Sequence, residues 1–445
     1  MVVKKIVILN KDYNRCFLHK CNSNLKIKVN LNRPNKRKIF NDPVYGFISI
    51  PDDLIFDLIE HPYFQRLRRI RQLGLTHLIY PGALHTRFHH SIGAMHLTGM
   101  AIAVIKDKGH QISKEEELGV QIAILLHDIG HGPYSHTLEH SLVNKLHHED
   151  ISQMYMHLLN DEFKGKLELA ISIFNNTYPK KFLHQLVSSQ LDMDRMDYLK
   201  RDSFFTGVSE GNINADRILK MLQLQLVDDE LVVEAKGIYS VEKFIIARRL
   251  MYWQVYLHKT VLAAEYTLMR ILKRAKYLSE QGHELFATSA LQKFLKNNFD
   301  KESFSKDPSA IAAYSHLDDF DILTSLKEWS NHEDKILSYL SLSIVNRRLF
   351  KIELQNQAFK TKKIEEIRNR IKNHFKLKEE EVDYFLINES TSNSAYNPRG
   401  GQINILYKNG EVKDIVSASD QLNISMLSTP VTKYFICYPK NIIKD

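Results

Sequence analysis

One apolar stretch ends in two residues that a hydrophobic core cannot accommodate by itself. Residues 122–126 are all apolar, and His127 and Asp128 follow them directly. Burying an imidazole beside an unpaired carboxylate is unfavourable, so another group must satisfy this pair. Neighbouring residues on a helix point about 100° apart. They therefore reach one shared object only at the helix end, which favours a metal ion over a hydrogen bond. The alternative is a helix end that carries surface histidines.

Glycine and proline break the chain just after this pair. Gly130 and Gly132 flank His131, Pro133 prevents the helix from restarting, and His136 follows. Three imidazoles and a carboxylate are thus gathered within ten residues. In the whole chain, 11 of the 21 histidines lie between positions 85 and 148. Surface composition does not explain such a concentration.

Length and composition indicate a folded, soluble protein of two or three domains. The chain has 445 residues, of which 44% are hydrophobic and 25% charged. It has no apolar run as long as the roughly 18 residues of a membrane span, and no cleavage site follows its basic start. We therefore expect a cytoplasmic protein that does not cross a membrane.

The three cysteines are too few for a disulfide framework, which fits a reducing compartment. Cys16, His19 and Cys21 could hold zinc only with a fourth ligand that the sequence does not identify.

The net charge is +9 and the sequence pI is about 9.1. This excess suits a polyanionic ligand, either a nucleotide polyphosphate or nucleic acid, although many proteins that bind neither are also basic. The arginines at 66, 68, 69 and 71 support the same two classes of ligand. A nucleic-acid-binding protein or nuclease is therefore an alternative.

The pattern of elements predicts a mainly α protein in three parts. Residues 1–35 have no clear period and form an extension, residues 36–345 form a helical body, and residues 346–445 form a small α+β lobe. The body begins with a hairpin over residues 38–50, and residues 64–73 then place Phe64, Leu67 and Ile70 on one face, with the arginines around the others. In the lobe, we expect strands at 350–354, 384–387 and 433–438, a helix at 362–375, and a hairpin turn at 408–410.

Two further helices carry polar residues on one face. Arg87 and His90 are three residues apart, in a helix that follows a loop. Asp194, Tyr198 and Asp202 recur at i, i+4 and i+8, with Arg195 beside the first. Taken alone, the second pattern is also typical of a solvated charged face.

These helices together supply the donors for a metal site. Two imidazoles and two carboxylates suit Mn, Fe, Zn, Ni or Mg with open positions, and such a cation activates water and neutralises a phosphoryl oxygen. The candidate ligands are His90, His127, Asp128 and Asp194. The acid-base candidates are His131, His136 and His148, with Glu139 and Glu149 to orient them. The charges suited to a polyphosphate are Arg87, Arg195, Arg248 and Lys259. Arg248 and Lys259 share a helical stripe with Tyr252 and Tyr256, and aromatic residues at this spacing are as often core.

The order of these ligands resembles the HD-domain metal-dependent phosphohydrolases. The sequence around them, at residues 64–68, 86–88, 127–133 and 192–202, resembles one branch, the deoxynucleoside triphosphate (dNTP) triphosphohydrolases. The human member of that branch carries a sterile-α-motif domain ahead of its HD domain. The resemblance covers about residues 38–259. His89, Arg195 and Tyr252 depart from the branch pattern, which leaves the substrate preference open.

The resemblance implies hydrolysis of dNTPs, dGTP among them, to deoxynucleoside and triphosphate by water attack at the α-phosphorus. It implies one divalent transition metal (Mn, Fe, Zn or Ni) on the four ligands, with Mg on the substrate phosphates. His148 with Glu149, and His136 near Glu139, would be the acid-base groups, and His131 a phosphate contact. The four cations would hold the phosphates. The sugar would be read by Gln72, Tyr198, Asp202 and Tyr256, while Leu73 would exclude a ribose 2′-hydroxyl.

The resemblance also implies a homo-oligomer, dimer or tetramer, that a second nucleotide assembles. That activator, dGTP or GTP, would bind between subunits at Lys38, Asn41, Glu60, Gln65 and Arg68. Glu60 is one methylene longer than the aspartate of the branch. The alternative is that these residues are ordinary surface charges on a constitutive oligomer.

Three other functions use the same residues. An HD-type nucleotidase or cyclic-nucleotide phosphodiesterase has the same four ligands, and a nucleic-acid-binding protein or nuclease would use the positive charge. A non-catalytic nucleotide sensor would keep the fold, but retention of every ligand together with His148 argues against it.

Overall fold

The computed structural model describes residues 38–134, 146–224, 229–397, 401–420 and 427–443. Tertiary contacts divide the chain into residues 1–36 and residues 37–445, and all the described residues belong to the second unit. The predicted N-terminal extension, with Cys16, His19 and Cys21, lies outside the described residues.

Helices make up most of the described chain. They are α1 (Asp53–Glu60), α2 (Pro62–Gln65), α3 (Arg87–Asp107), α4 (Lys114–Leu126), α5 (His148–Glu162), α6 (Glu168–Phe174), α7 (Lys181–Val187), α8 (Met193–Thr206), α9 (Ala215–Met221), α10 (Ile238–Met251), α11 (Lys259–Glu280), α12 (Ser289–Lys296), α13 (Lys301–Lys306), α14 (Pro308–His316), α15 (Asp319–Trp329), α16 (Lys335–Val345), α17 (Thr361–Phe375) and α18 (Ile415–Ala418). Short 3₁₀ turns at Arg66–Arg69, Gly74–Leu78, Ser209–Gly211, Ala235–Gly237, Glu379–Tyr384 and Lys440–Ile443 and a π-helical turn at Tyr252–Tyr256 connect some of them.

Three small sheets accompany the helices. Their strands are β1 (Ile39–Asp42), β2 (Gly46–Ser49), β3 (Leu222–Leu224), β4 (Leu231–Glu234), β5 (Lys351–Gln355), β6 (Ile387–Asn393), β7 (Asn404–Leu406), β8 (Val412–Asp414) and β9 (Val431–Tyr438). β1 and β2 form the predicted hairpin, and β5, β9 and β6 form an antiparallel sheet in that order. In the third sheet, β4 pairs in parallel with β7, so the C-terminal hairpin joins a hairpin of the helical body.

Helices α3, α4 and α8 form the centre of the body. Ser113 begins α4 with a capping box, in which its hydroxyl accepts from the Glu116 amide and its own amide donates to the Glu116 carboxylate. Asp192 caps α8 by accepting from the Arg195 amide, and Gly207 ends that helix at a φ of 75°. These caps fix where the two helices begin and end around the candidate ligands.

Helix α3 is long and apolar enough to cross a membrane by length and composition, and it alone passes this test among the described helices. However, 67% of its apolar window is buried inside the protein. Packing in the core therefore accounts for its apolar composition.

The mainly α fold with a small C-terminal α+β lobe is confirmed, and the departures are local. Phe64, Leu67 and Ile70 are buried as predicted, but Arg66, which we expected outside the core, is fully buried as well. The strand expected at residues 384–387 is wrong, because a 3₁₀ turn occupies Glu379–Tyr384 and β6 begins only at Ile387. The hairpin of β3 and β4 was not predicted.

Candidate metal centre and substrate pocket

Three helices deliver the four candidate metal ligands. α3 carries His90, which is fully buried, and α8 carries Asp194 in its first turn. His127 and Asp128 follow directly after α4. α3 can approach α8 this closely because Gly93 has no side chain: a Cβ there would lie 2.1 Å from Asp197 Oδ1.

The donor atoms of these residues converge. Asp194 Oδ1 lies 3.1 Å from His90 Nε2 and 3.6 Å from His127 Nε2, and the two imidazole nitrogens are 3.4 Å apart. Asp128 Oδ1 lies 3.3 Å from His127 Nε2, and Asp128 Oδ2 lies 3.7 Å from His90 Nε2. Ligands about 2.1 Å from one ion are about 3.0–3.4 Å apart, so these spacings suit a single metal ion.

Groups behind the two imidazoles set which nitrogen faces the site. His90 Nδ1 donates to Asp197 Oδ2 at 2.8 Å, and His127 Nδ1 donates to the Ile124 carbonyl at 2.6 Å. Since a carboxylate and a carbonyl only accept, each Nδ1 carries the proton and each Nε2 presents a lone pair. Arg201, also fully buried, holds Asp197 through two hydrogen bonds of 2.9 Å and reaches Asp42 at 2.7 Å.

The electrostatics of the cluster favour a bound cation. Burial alone would lower the pKa of His90, but Asp194 and Asp197 outweigh burial and raise it to about 10. Burial would raise the pKa of Asp194, but His127 and His90 hold it far below its ordinary value. The carboxylates thus favour a positive charge at the two imidazoles, and a divalent metal bound to their Nε2 atoms would supply that charge in place of a proton.

A second group of possible ligands consists of Asp128, His131 and His148. The rings of His131 and His148 stack with centres 3.7 Å apart and planes inclined by 16°, an arrangement that does not direct both lone pairs at one point. Arg87 already forms an ion pair with Asp128. Burial and the neighbouring Arg87 also lower the pKa of His131 well below its ordinary range, so this imidazole is neutral. The stacked rings and the ion pair of Asp128 with Arg87 therefore argue against a second metal at this group.

Gly130 brings His148 to this position. A Cβ on Gly130 would lie 2.2 Å from the His148 carbonyl oxygen and 2.4 Å from the Ser152 nitrogen, so any other residue would push α5 away. The Ser152 hydroxyl accepts from the Gly130 amide at 2.9 Å and donates to the His127 carbonyl at 2.8 Å. Glu149 lies in the first turn of α5 with an exposed side chain. His136 and Glu139 lie outside the described residues.

A pocket of about 410 Å³ contains Arg87 in its wall. All the predicted sugar-reading residues line it, together with residues from the π-helical turn and α11. Its lining is Gln72, Leu73, Gly74, Thr76, Arg87, Tyr134, Tyr198, Asp202, Tyr252, Tyr256, Leu257 and Glu265. Because Arg87 also forms an ion pair with Asp128, the pocket and the candidate metal centre share a residue.

Asp202 is held in place from two sides. His85 lies 2.7 Å from one carboxylate oxygen of Asp202, and the Tyr256 hydroxyl donates to the other at 2.8 Å. The His85 ring is buried and stacks on Phe205 with centres 4.5 Å apart. This network orients the Asp202 carboxylate before any ligand binds.

The other predicted phosphate-binding cations differ in their partners and in their position relative to the pocket. Arg195 forms an ion pair with Asp192, and Arg248 donates to the Gln190 side chain at 3.2 Å. The Arg248 guanidinium lies 5.9 Å from the ring centre of Tyr252, which places it beside the pocket. Lys259 begins α11 with an exposed side chain and is not part of the described pocket lining.

Four of the five predicted activator residues form two hydrogen-bonded pairs near the surface. Lys38 reaches Glu60 at 3.4 Å, and Arg68 donates to the Gln65 side chain at 2.9 Å. Asn41 is exposed on β1 of the same N-terminal hairpin as Lys38.

The sequence did not point to several of these groups. An aspartate and an arginine at i and i+4, such as Asp197 and Arg201, are typical of an ion pair on the surface of a helix. The one local signal was Gly93, which allows the facing helix to approach closely. Nothing in the sequence placed Tyr134 or Glu265 in the pocket.

Fold and site together define a mainly helical protein with a His/Asp metal-binding centre beside a pocket. The HD-domain family profile matches residues 87–202, and the profile of the HD associated region matches residues 213–286. The chain is 35% identical to the uncharacterized protein YwfO of Bacillus subtilis over 428 residues, covering 92% of this chain and 94% of that protein. The crystal structure of a phosphohydrolase from Bacteroides thetaiotaomicron superposes with a TM-score of 0.87 at 53% identity, covering 91% of this chain and 100% of that one. The chain belongs to the HD-domain phosphohydrolases.

The chain also resembles proteins named for a specific activity. It is 34% identical to the deoxynucleoside triphosphate triphosphohydrolase SAMHD1 homolog of Dictyostelium discoideum over 251 residues. That match covers 52% of this chain and 48% of the Dictyostelium protein, so about half of each lies outside it.

Proposed function

We propose that this protein hydrolyses dNTPs to a deoxynucleoside and tripolyphosphate. The observation that carries this proposal is the position of Arg87, which lines the pocket and forms an ion pair with Asp128. A nucleoside in the pocket would thus have its phosphates beside the His/Asp cluster. The pocket volume of about 410 Å³ lies in the range of small-molecule sites. The similarity to a named triphosphohydrolase supports the same substrate class.

In this proposal, His90, His127, Asp128 and Asp194 hold one divalent transition metal, namely Mn, Fe, Zn or Ni. When bound, such an ion lowers the pKa of water and neutralises charge on a phosphoryl oxygen. Mg would accompany the substrate phosphates.

The chain's own residues bind the phosphates and move the proton. Arg87, Arg195 and Arg248 neutralise the phosphates, and Lys259 would reach them from the start of α11. His131, which lies beside Arg87 and Asp128, would be a further contact of the phosphates. His148, stacked on His131, passes a proton between the attacking water and the leaving oxygen, with Glu149 beside it. His136 and Glu139, which lie outside the described residues, would take part in the same proton transfer.

The opposite end of the pocket would read the sugar and the base. The oriented Asp202 carboxylate accepts from the sugar hydroxyl, with Tyr256 and Tyr198 against the ring. Gln72 and Leu73 cover the other face, where the Leu73 side chain would exclude a ribose 2′-hydroxyl. Glu265 lines the same pocket and would accept from the donor edge of a base, which favours guanine.

The products of hydrolysis test this proposal. We expect the purified protein with Mn²⁺ to convert dGTP to deoxyguanosine and tripolyphosphate, separated by ion-exchange chromatography, and to leave GTP largely intact. Phosphate released from a deoxynucleoside monophosphate would instead indicate a nucleotidase, and opening of a cyclic nucleotide would indicate a phosphodiesterase. Shortened oligonucleotides would indicate a nuclease, and no turnover at all a nucleotide sensor. Each of these four outcomes contradicts the proposal.

We also propose that a second nucleotide, dGTP or GTP, assembles the active homo-oligomer, a dimer or tetramer. Two cations on one surface, Lys38 and Arg68, suit a triphosphate, and Glu60 would accept from the donor edge of guanine. Asn41 and Gln65 would complete the contacts.

A further inference from the structure

Two separate chain segments line part of the pocket and meet at Gly74 and Tyr134: residues 72–74, here called the Gln72 wall, and the loop that ends in Tyr134, here called the Tyr134 wall. A Cβ added to Gly74 would lie 3.8 Å from the Tyr134 ring, and both residues line the pocket. Both have positive φ, 51° for Tyr134 and 49° for Gly74. Glycine adopts this conformation without strain, but a tyrosine does so only when its surroundings hold it there.

One buried carboxylate holds both walls. Asp319, at the start of α15, accepts from the Tyr134 amide at 3.1 Å with one oxygen and from the Arg71 amide at 3.0 Å with the other. Arg71 directly precedes Gln72, the first residue of the Gln72 wall. The side chain of Asp319 is therefore the bridge between the two segments.

Further contacts tie the same loop to the end of α14. Arg66 donates to the Ile129 carbonyl at 2.8 Å and to the Leu317 carbonyl at 3.2 Å, and the Tyr314 hydroxyl donates to the Gly130 carbonyl at 3.0 Å. The loop that follows Asp128 is thus fixed from residues 314–319. These residues lie beyond both matched family regions, which end at residues 202 and 286.

We propose that Asp319 is a positioning residue that holds the Gln72 wall and the Tyr134 wall together, so that both keep their places around a nucleoside in the pocket. The proposal rests on the proposed function, because it takes the pocket to be the nucleoside site. Asp319 does not touch the substrate and acts through the backbone of the two walls. The carboxylate suits this task because it offers an acceptor to each wall, whereas an asparagine would present an N–H group to one of them.

The variant Asp319→Asn tests the proposal against a matched neighbour. Asp318→Asn makes the same change one residue earlier, where the side chain caps α15 through the Phe320 amide and pairs with Arg69. Asparagine is also a good helix cap, so this control should preserve the helix start. Hydrogen exchange measured by mass spectrometry reports the two walls directly, without any substrate. In Asp319→Asn, we expect the amides of residues 71–76 and 130–134 to exchange about tenfold faster, and those of Asp318→Asn to match the wild type.

Kinetics supply the second measurement. We expect the KM of Asp319→Asn for dGTP to rise about tenfold while kcat and bound metal stay within about twofold of the wild type. Unchanged exchange, equal effects in Asp318→Asn, or loss of metal would each overturn the proposal. If Asp319→Asn does not fold, Asp319→Glu is tested in the same way: faster exchange and a raised KM support the proposal, and wild-type values contradict it. A wild type that turns over no dNTP disproves the proposed function instead, and hydrogen exchange alone then decides the role of Asp319.

Discussion

Single residues at the metal centre have separable duties. Asp128 contacts His127, His131 and Arg87, so its carboxylate lies between the candidate metal ligands and the proposed phosphate contacts. His148, the first residue of α5, stacks on His131, and its donor atoms group with those of Asp128 and His131, whereas His90, His127 and Asp194 form the other group.

Asp128→Ala should remove both metal and activity. The helix before Asp128 is capped and buried independently of the carboxylate, so we expect the circular dichroism spectrum to remain helical. Metal analysis by plasma mass spectrometry should show less than a tenth of the wild-type content. Asp107→Ala, at the exposed end of α3, is the control and should retain metal. A fully active Asp128→Ala protein would disprove the assignment of the ligands.

His148→Ala should separate binding from turnover. If His148 moves a proton, kcat falls by about 100-fold or more while bound metal and the affinity for dGTP stay unchanged. His157→Ala, at an exposed position of the same helix, should behave like the wild type. Metal loss in His148→Ala would show that this residue is a ligand. It would contradict the proposal that His90 and His127 bind the metal while His131 and His148 serve the substrate.

Glu265→Gln should alter the choice of base. The substitution replaces one acceptor oxygen by a donor, which weakens pairing with the adjacent donors of guanine. We expect the ratio of kcat/KM for dGTP to that for dTTP to fall about tenfold. Glu280→Gln, at the other end of α11, should leave this ratio unchanged. An unchanged ratio in Glu265→Gln would exclude contact between this carboxylate and the base.

For single residues, the sequence predicted the site best where residues of suitable chemistry occur at the spacing of a motif. The four candidate ligands and the pocket residues Gln72, Tyr198, Asp202 and Tyr256 were named from motifs, and the structure brings the two sets to adjacent places. His85, which holds Asp202, was not identified, because its partner lies 117 residues away. Contacts between residues so distant along the chain have no local signature.

At the scale of whole elements, helices were easier to predict than the small strands. The amphipathic helix expected at residues 362–375 is α17 (Thr361–Phe375), because a long apolar stripe specifies a helix unambiguously. β3 and β4 are only three and four residues long and complete their sheet with β7, which is far along the chain. We expected Arg66 on the surface because charged residues are rarely fully buried, yet backbone carbonyls of two distant loops accept hydrogen bonds from both of its terminal guanidinium nitrogens.

Because Asp319 at the start of α15 is buried, we expect the free energy of unfolding to depend on pH. Burial raises the pKa of Asp319 to about 6, with Asp318 adding to this effect and with Arg71 and the two backbone donors opposing it. A carboxyl whose pKa is higher in the folded chain binds its proton more tightly there, so its ionisation destabilises the fold. This cost is absent below about pH 4 and complete above about pH 6, where it amounts to ~3 kcal/mol.

The comparison of the wild type with Asp319→Asn isolates this effect. The amide group loses one of the two backbone hydrogen bonds at every pH, but it has no ionisation cost. We therefore expect the melting temperature of the variant, relative to that of the wild type, to be higher at pH 7 than at pH 4. Differential scanning calorimetry across this range measures the difference. If the melting temperature of the variant, relative to that of the wild type, is lower at pH 7 than at pH 4, then ionisation of Asp319 does not destabilise the fold.

At the scale of the whole molecule, regulation would couple the surface of the N-terminal hairpin to the active site. Arg68 stacks on Phe88 at 3.5 Å from the ring centre, and Phe88 follows Arg87 at the start of α3. A nucleotide that binds Arg68 would therefore act on the helix that carries His90. Since coupling between sites is reciprocal, the assembled state must also bind the nucleotide more tightly.

Arg68→Ala should abolish activation and leave the metal in place. We expect dGTP to raise the mass of the wild-type protein in light scattering and to accelerate hydrolysis of a second dNTP, and neither effect in the variant. Arg370→Ala, which removes an exposed arginine of the C-terminal lobe, should retain both. A wild-type mass and rate that do not respond to saturating dGTP would leave Lys38, Glu60 and Arg68 without a regulatory role.

In the proposed reaction, water attacks the α-phosphorus of a dNTP at this His/Asp centre. Hydrolysis of dGTP in H₂¹⁸O, followed by mass spectrometry of both products, tests it most directly. We expect one ¹⁸O atom in tripolyphosphate and none in deoxyguanosine, and we expect the reaction to be lost when the metal is removed and restored by Mn²⁺. Label in the 5′-hydroxyl of deoxyguanosine, or release of dGMP and pyrophosphate, would contradict it.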